Sequence, residues 1–288
     1  MKTSAFAKIN LGLHVLRKRK DGFHDLETVF LRVGWADSLS FSEGEGISMT
    51  CSVPNLRVDG SNLCIQAATA AFEVLERMGH DPEGIAIHLD KDLPFGAGLG
   101  GGSSDAAATL LAVNALFGSP LSDGQLHRLA ADLGSDVPFF LGFEGMAFGT
   151  GRGEVLSAIA FPPALRSTWL LIAVPPVHIS TVDAYSGIRP NDVDRIDLLA
   201  LMTEGSLQDW RTDLVNDFEL HLFERYPSVE ALKSGFLEGG AAYSAMSGSG
   251  SSVFAIFEDE PTAAAAQSSL GEGIRTWLGP SDAAAFSS

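Results

Sequence analysis

A glycine-rich segment is the part of the sequence whose composition most clearly suggests chemistry. Five of the seven residues from 96 to 102 are glycines, and the segment stands between an apolar stretch and an alanine-rich helical pattern. Glycine lets the backbone approach a ligand because it has no Cβ, and the free amides that begin a helix favour an anion. The sequence therefore predicts a phosphate-binding loop over residues 94–104, with Ser103 or Ser104 capping the helix.

Other interpretations of these glycines fit the sequence less well. The chain contains no Gly-Lys pair, which a Walker A loop needs at its end. Gly96, Gly98 and Gly101 match GxGxxG, but the acidic strand end that a dinucleotide-binding fold needs about 20 residues later is replaced by a helix-cap pattern. The lysine strand and the HRD loop of protein kinases are absent. A flexible linker is disfavoured because the segment lies between an apolar strand and a capped helix.

Three further segments carry residues suited to chemistry. Asp136 lies just past a predicted helix end, in a turn that Pro138 fixes, where an aspartate usually acts as a local cap. Residues 246–252 form a second glycine-rich loop, with a long polar turn as the alternative. Lys8 and Asn10 lie on one side of an alternating strand, and Ala7, Ile9, Leu11, Leu13 and Val15 lie on the other.

The elements that must position these residues alternate between strands and helices. In the first part of the chain we expect strands over 5–16 and 27–41 around an Asp21-Gly22 hairpin, a helix over 61–79 with Ser61 as cap and Gly79 as stop, a strand over 85–89, a helix over about 103–117, and a helix from the Ser122/Gln125 capping box to near Gly134. After residue 155 we expect strands over 169–176 and 253–257, short helices over about 194–236, a helix over 261–271 and a frayed tail.

This order predicts an α+β protein with two lobes, divided near residues 150–165. We assign residues 1–155 to the first domain and 156–288 to the second. The first carries the predicted phosphate loop, Lys8 and Asp136.

Composition and charge exclude several classes of function. The chain has 288 residues, of which 45% are hydrophobic, and a formal charge of −17. This acidity argues against binding nucleic acid or an anionic membrane. The two cysteines are too few for a disulfide framework or a four-ligand metal cluster. No stretch reaches the roughly 18 apolar residues that a membrane span needs. The first residues do not have the pattern of a signal peptide. We expect a cytoplasmic enzyme.

Taken together, the segments resemble the GHMP kinase superfamily. The pattern comprises a lysine-bearing strand (AKINLGLHVL, 7–16), a central loop (PFGAGLGGGSSDAA, 94–107) and a C-terminal glycine loop (MSGSGSSVFAIF, 246–257). The segments DGFHDLETVF (21–30) and GSDVPFF (134–140) narrow the resemblance to members that phosphorylate a cytidine-diphosphate-linked methylerythritol. The resemblance implies an N-terminal lobe similar to ribosomal protein S5 domain 2, a ferredoxin-like C-terminal lobe and an active site in the cleft between them.

The resemblance also implies the reaction. ATP would donate its γ-phosphate, with Mg²⁺, to the 2-hydroxyl of 4-diphosphocytidyl-2-C-methyl-D-erythritol in the non-mevalonate isoprenoid route. The partners would be these small molecules, and the enzyme a monomer or weak homodimer. The first alternative is a kinase of the same superfamily with homoserine, a sugar or mevalonate as acceptor. The second is a non-catalytic regulator that binds a nucleotide. The third is a dinucleotide-dependent oxidoreductase, which the missing acidic strand end makes less favoured.

The resemblance assigns roles residue by residue. Asp136 is the expected general base, and Lys8 would keep it ionised and offset developing charge. Asn62 would reach the adenine or simply cap a helix, and Ser104 is a candidate to touch Mg²⁺. The expected ATP-phosphate loop is Pro94, Phe95, Gly96, Ala97, Gly98, Leu99, Gly100, Gly101, Gly102, Ser103 and Ser104.

The acceptor substrate is expected to meet Asn10, Phe23, His24, Tyr185 and Gly248. Phe23 stands where a tyrosine is common, so a stacking face for cytosine is kept without the phenol hydrogen bond. A surface histidine is the alternative for His24. The basic run 17–20 is interpreted as a solvated hairpin tip, or else as a patch that steers an anionic substrate.

Overall fold

The computed structural model describes residues 1–142 and 145–282. Contacts divide them into two compact units that are interleaved along the chain. Unit 1 contains Met1–Ala7, Trp35–Phe95 and residues 100–142, and unit 2 contains Lys8–Gly34, Gly96–Leu99 and residues 145–282. The domain boundary predicted at 155/156 stays a prediction, and the predicted frayed tail (283–288) lies outside the described residues.

Two long strands contribute residues to both units. Strand β1 spans Lys2–Lys18 and strand β2 spans His24–Glu43, where several returning strands were expected. The predicted Asp21-Gly22 turn joins them: Gly22 has φ of +91° and the amide of Arg19 donates to the carbonyl of Phe23 at 2.8 Å. Both sides of the predicted alternation in β1 are buried, because Lys8 and Asn10 are nearly as inaccessible as Ala7 and Ile9.

Unit 1 packs helices onto three paired strand segments. Strand β3 (Gly46–Cys51) lies parallel to β4 (Gly84–Asp90), and β4 lies antiparallel to the second half of β2, with Ser38 opposite Asp90. The helices are α1 (Leu63–Arg77), α2 (Gly101–Leu116), α3 (Asp123–Leu133) and α4 (Phe139–Gly142). Alanines on α1 and α2 allow close helix approach, and the core includes Leu39, Ala71, Ile85, Ile87, Ala106 and Leu110.

Two predicted helix caps are wrong, and one is confirmed. Helix α1 is capped by Asn62, one residue after the expected Ser61. Helix α2 begins at Gly101 behind Gly100, which has φ of +69°, so neither Ser103 nor Ser104 is the cap. Gly100 takes a left-handed conformation that serine adopts only at a cost, and the helix can therefore start earlier than side-chain capping suggested. At α3, the amide of Ser122 donates to Gln125 at 3.0 Å, as the capping box predicted.

Unit 2 contains two groups of strands. The first half of β2 pairs with β5 (Met146–Thr150), which pairs with β6 (Val155–Ala158). A four-stranded antiparallel sheet has the order β10-β7-β9-β8, built from β7 (Trp169–Val174), β8 (Tyr243–Met246), β9 (Val253–Phe257) and β10 (Arg275–Pro280). Strands β7 and β9 match the predicted apolar runs.

The helices of unit 2 are mostly short. They are α5 (Thr181–Ser186), α6 (Leu198–Glu204), α7 (Leu207–Asp213), α8 (Glu219–Arg225), α9 (Pro227–Glu238) and α10 (Glu260–Ser268). Side chains of α9 and α10 share a core with β7 and β9, including Leu171, Ala173, Phe236, Ala255, Phe257 and Ala263. The α+β class is confirmed. Across residues 1–142 and 145–282, no helix is long and apolar enough to cross a membrane.

Candidate active site

Lys8 lies in the buried middle of β1. Its ammonium donates to Asn10 Oδ1 at 2.6 Å and lies 5.4 Å from the centroid of the Phe30 ring. Its backbone amide donates to the carbonyl of Leu99 at 2.9 Å. A rigid strand thus holds a desolvated cation beside the end of the central glycine loop.

The orientation of the Asn10 amide is fixed by hydroxyl groups. Asn10 Nδ2 donates to Thr28 Oγ1 at 2.9 Å, and Thr28 Oγ1 donates to the carbonyl of Gly12 at 2.7 Å. The backbone amide of Asn10 donates to Ser247 Oγ at 3.2 Å. Because Nδ2 is committed to Thr28, Oδ1 points to the ammonium of Lys8.

The two glycine loops meet next to Lys8. Ser247 Oγ donates to the carbonyl of Gly98 at 2.9 Å, and the amide of Ser252 donates to the carbonyl of Ala97 at 3.1 Å. A Cβ on Gly98 would lie 2.1 Å from the carbonyl oxygen of Ser247. A Cβ on Gly248 would lie 3.0 Å from Asn10 Oδ1 and 3.6 Å from Lys8 Nζ. Lys8, Asn10, Gly98 and Gly248, which come from three of the predicted segments, are therefore brought together.

A polar segment that sequence reasoning missed supports the second loop. Asn216 Nδ2 donates to the carbonyls of Met246 and Gly248, each at 2.8 Å. Glu219 accepts the amide of Met246 at 2.7 Å and the ammonium of Lys233 at 2.6 Å. Burial raises the pKa of Glu219, and Lys233 opposes that shift. The local sequence carries little signal for this role beyond polar residues beside apolar ones.

His178 is a second missed neighbour of the central loop. A Cβ on Gly96, which has φ of +59°, would lie 2.8 Å from His178 Cε1. Nearby, Ser251 Oγ donates to the carbonyl of Val177 at 2.5 Å. A glycine at position 96 is therefore required both by its backbone angle and by the imidazole beside it.

The start of α2 is suited to an anion. Gly100 provides no side-chain hydrogen bond to the first turn, and Gly101 and Gly102 follow it without a Cβ. Ser104 is buried, with its amide donating to the carbonyl of Gly100 at 2.9 Å. First-turn amides and the helix dipole together favour a phosphate.

Asp136 lies in the turn between α3 and α4. The amide of Val137 donates to the carbonyl of Gly134 at 3.2 Å, which closes the turn, and Asp136 is half-buried. Asp136 belongs to unit 1 and Lys8 to unit 2. Their catalytic pairing stays a prediction.

Two predicted substrate contacts, His24 and Tyr185, touch each other. Their rings stack with centroids 4.9 Å apart and planes inclined by 22°. Tyr185 also packs edge-on against Phe218, with centroids 4.9 Å apart. Burial lowers the pKa of His24, and Lys18 adds to the shift.

Phe23, which directly precedes His24 in the chain, has an exposed ring. Half of its surface is accessible, and the guanidinium of Arg152 lies 4.9 Å from the ring centroid. Arg17 and Arg19 in the basic run pair with Asp25 at 2.6 and 2.8 Å.

Asn62 is the N-cap of α1, which was the alternative to adenine binding for this residue. Its Oδ1 accepts the amide of Cys64 at 2.9 Å, and its Nδ2 donates to the carbonyl of Arg57 at 2.8 Å. Contact with adenine stays a prediction. Within the described residues, no group of three or more His, Cys, Asp or Glu side chains could hold a metal ion.

Comparison with known families agrees with this geometry. Residues 62–142 match the model of the GHMP kinases N terminal domain, and residues 194–275 match that of the GHMP kinases C terminal domain. The class of protein that these matches define is the GHMP kinases.

Individual relatives narrow the class. The chain is 44% identical to 4-diphosphocytidyl-2-C-methyl-D-erythritol kinase of Pelodictyon phaeoclathratiforme over 96% of its length and 95% of the relative, and 42% identical to that of Salinibacter ruber over 95% and 96%. A crystal structure of 4-(cytidine 5'-diphospho)-2C-methyl-D-erythritol kinase matches with a TM-score of 0.78 at 34% identity, covering 96% of this chain and 98% of that one. A mevalonate kinase structure, with a TM-score of 0.74 at 14% identity and coverage of 96% and 98%, shares the fold alone. The chain belongs to the 4-diphosphocytidyl-2-C-methyl-D-erythritol kinase family.

Proposed function

We propose that this GHMP kinase transfers the γ-phosphate of ATP to the 2-hydroxyl of 4-diphosphocytidyl-2-C-methyl-D-erythritol, giving the 2-phosphate and ADP in the non-mevalonate route to isoprenoid precursors. The observation that carries the proposal is the buried Lys8–Asn10 pair joined to both glycine loops. Family membership at 42–44% identity supports the acceptor.

The central loop binds the triphosphate of ATP in this proposal. Its glycines place no Cβ between the backbone and a ligand, and the start of α2 adds a positive dipole without a competing side-chain cap. Phosphoryl transfer depends mainly on positioning and on charge stabilisation, because the protein has little covalent chemistry to perform.

Lys8 and Asp136 act on the acceptor alcohol. A tertiary alcohol is a weak nucleophile until its proton is removed, and Asp136 is the proposed base. The desolvated ammonium of Lys8 stabilises negative charge between nucleophile and phosphoryl group more strongly than an exposed lysine would. Asn10 sets the position of that ammonium by hydrogen bonding.

The cytidine end of the acceptor meets aromatic side chains. Phe23 offers an exposed face for cytosine, and the His24–Tyr185 stack adds a hydrogen-bonding imidazole and a second ring. Gly248 leaves room for the acceptor next to Asn10 and Lys8.

Mg²⁺ is proposed to be held mainly by the phosphates of ATP. The described residues offer no carboxylate cage, and Mg²⁺ commonly keeps waters and phosphate ligands instead of such a cage. Ser104 would supply a hydroxyl. When bound, the ion neutralises charge on the β- and γ-phosphates. We further propose that the enzyme works in the cytoplasm as a monomer or weak homodimer.

The test is an assay of ADP release with ATP, Mg²⁺ and one acceptor at a time. The expected result is turnover with the cytidyl substrate and none above background with homoserine or mevalonate. Mass spectrometry of the product should show one added phosphate. Preferred turnover of either control acceptor would overturn the substrate assignment, and ATP binding without turnover of any acceptor would favour the regulator.

A further inference from the structure

A buried charge cluster lies in unit 1, outside the groups assigned to the reaction. It comprises Asp37, Lys91 and Asp105, here called the Lys91 cluster. The ammonium of Lys91 donates to Asp105 Oδ2 at 2.8 Å and also to Asp37 Oδ2. The three side chains are at most 4% exposed.

The cluster joins the two ends of the proposed phosphate loop. Asp37 Oδ1 accepts the amides of Asp92 at 2.6 Å and Leu93 at 2.7 Å, and Leu93 directly precedes the loop. Asp105 directly follows Ser104 near the start of α2. One ammonium thus connects the segment that enters the loop to the helix that leaves it.

Close contacts leave little space for these ends to move. A Cβ on Gly101 would lie 3.1 Å from Lys91 Nζ and 3.3 Å from the Cβ of Leu93. The ring centroid of Phe95 lies 5.7 Å from the same ammonium. The first turn of α2 therefore lies close to Lys91 and Leu93, with no space for a side chain at position 101.

Stability alone is a weak reason to keep such a cluster. Removing charges from water costs free energy, and apolar side chains of similar volume often replace a buried ion pair without loss of stability. Asp105 Oδ1 is buried with no hydrogen-bond partner among the described residues. Burial raises the pKa of Asp105 to about 7, with Lys91 opposing the shift. The cluster does supply directional hydrogen bonds between the segment that precedes the loop and the start of α2.

We propose that the Lys91 cluster is a positioning device for ATP, in which Lys91 holds the first turn of α2 at a fixed distance from Leu93 so that the loop amides face the triphosphate. This inference rests on the proposed function of the loop. Lys91 acts through the backbone and is a positioning residue, whereas Lys8 acts on the reacting groups.

The experiment compares Lys91→Met with a neutral triple variant, Asp37→Asn/Lys91→Met/Asp105→Asn. Arg195→Met is the matched control, because Arg195 pairs with the half-buried Asp217 in unit 2 at 2.8 Å. Melting temperature, direct ATP affinity by calorimetry and KM for each substrate are measured. ATP affinity should fall and KM for ATP rise by about tenfold or more in both Lys91 variants, with KM for the cytidyl substrate within about twofold, since only ATP positioning is lost.

The triple variant separates positioning from folding. It removes the uncompensated buried carboxylates of Lys91→Met, so its melting temperature should recover while its ATP affinity stays low. If the melting temperature and the ATP affinity both recovered in the triple variant, the cluster would serve stability alone, and the inference would be overturned. Equal increases in both KM values, or an ATP-specific loss in Arg195→Met, would also overturn the inference. Because calorimetry needs no turnover, a wild-type enzyme inactive on the cytidyl substrate would reject the proposed function and leave this comparison intact.

Discussion

The ammonium of Lys8 is held by an amide whose own orientation depends on distant hydroxyls. Thr28 is 18 residues from Asn10, and Ser247 is 237 residues away. The resemblance could point to Lys8 and Asn10 because both lie in one short motif. It could not find Thr28 or Ser247, because their role appears only when β1, β2 and the second glycine loop are in contact.

Replacing the proposed base tests the reaction most directly. Asp136→Asn keeps the size of the side chain but cannot accept the proton, so turnover should fall by about 10²–10⁴. ATP affinity should stay within about twofold, measured by calorimetry beside steady-state kinetics. Asp132→Asn, on the exposed surface of α3, is the control and should be active. Near-normal turnover in Asp136→Asn would refute the assignment of the base.

Phe23 provides a test of the cytidine end. Phe23→Ala removes the exposed ring, so KM for the cytidyl substrate should rise by about five- to tenfold, given stacking energies near 1 kcal/mol. KM for ATP should change little. Phe23→Tyr keeps the ring and should preserve or improve affinity for the cytidyl substrate. Equal changes in both KM values for the alanine variant would contradict stacking.

At the level of elements, the contact between the two glycine loops leaves no space for a side chain. Gly98→Ala would place a Cβ 2.1 Å from the carbonyl of Ser247, at a φ of +77°. Gly118 has a φ of +79° with nothing near its Cβ position. Gly118→Ala therefore carries the same backbone strain, about 1–2 kcal/mol, without the clash.

The two alanine variants should consequently differ. Gly98→Ala should lower turnover at least tenfold, because separating the loops also moves Asn10 and Lys8. Gly118→Ala should lose only a few degrees of melting temperature and keep its activity. Matching kinetics in the two variants would mean that the loop contact has no role in the reaction.

Strand β1 also carries a pH-sensitive group. Burial lowers the pKa of His14 from 6.5 to about 4, and Arg195 adds to the shift while Asp217 opposes it. The unfolded chain takes up a proton near pH 6.5, and the folded chain does so only near pH 4. The stability that neutral His14 contributes is therefore present above about pH 6.5 and is lost as the pH falls towards 4.

Thermal melts at several pH values check this expectation. Between about pH 6.5 and pH 4, the melting temperature of the wild type should fall more steeply than that of His14→Gln. The glutamine at position 14 takes up no proton in this range, so the contribution of His14 is removed from the curve. His127→Gln, at an exposed position on α3, is the control. Parallel curves for the wild type and His14→Gln would contradict the assignment.

Helix interiors and apolar strands could be predicted from periodicity, whereas their ends could not. Strands β4, β7 and β9 match the predicted runs because each is built around a short run of mostly apolar residues. Helix α2 starts early because left-handed Gly100 replaces a side-chain cap. Strand β10, which contains Gly279 and ends in Pro280, gave no strand pattern. The Lys91 cluster was also missed, because Asp37, Lys91 and Asp105 come from three elements.

For the molecule as a whole, the excess of acidic residues is the dominant physical property. A charge of −17 on 288 residues implies mutual repulsion in the folded chain. Added salt screens this repulsion over about 10 Å at 0.1 M. The melting temperature should therefore rise by a few degrees between 10 and about 300 mM NaCl and then level off. A flat or falling curve at pH 7 would show that specific ion pairs outweigh the net charge.

The interleaving of the two units has a consequence for how the protein is made. Unit 2 contains Lys8–Gly34 together with residues beyond 145. Residues 8–34 therefore leave the ribosome long before the segments with which they pack. Translation proceeds at roughly 5–20 residues per second, so this wait lasts on the order of ten seconds or more. During that interval the apolar face of the first hairpin is exposed on a nascent chain, and chaperone binding to it would shield β1 until β7, β8 and β9 have been synthesised.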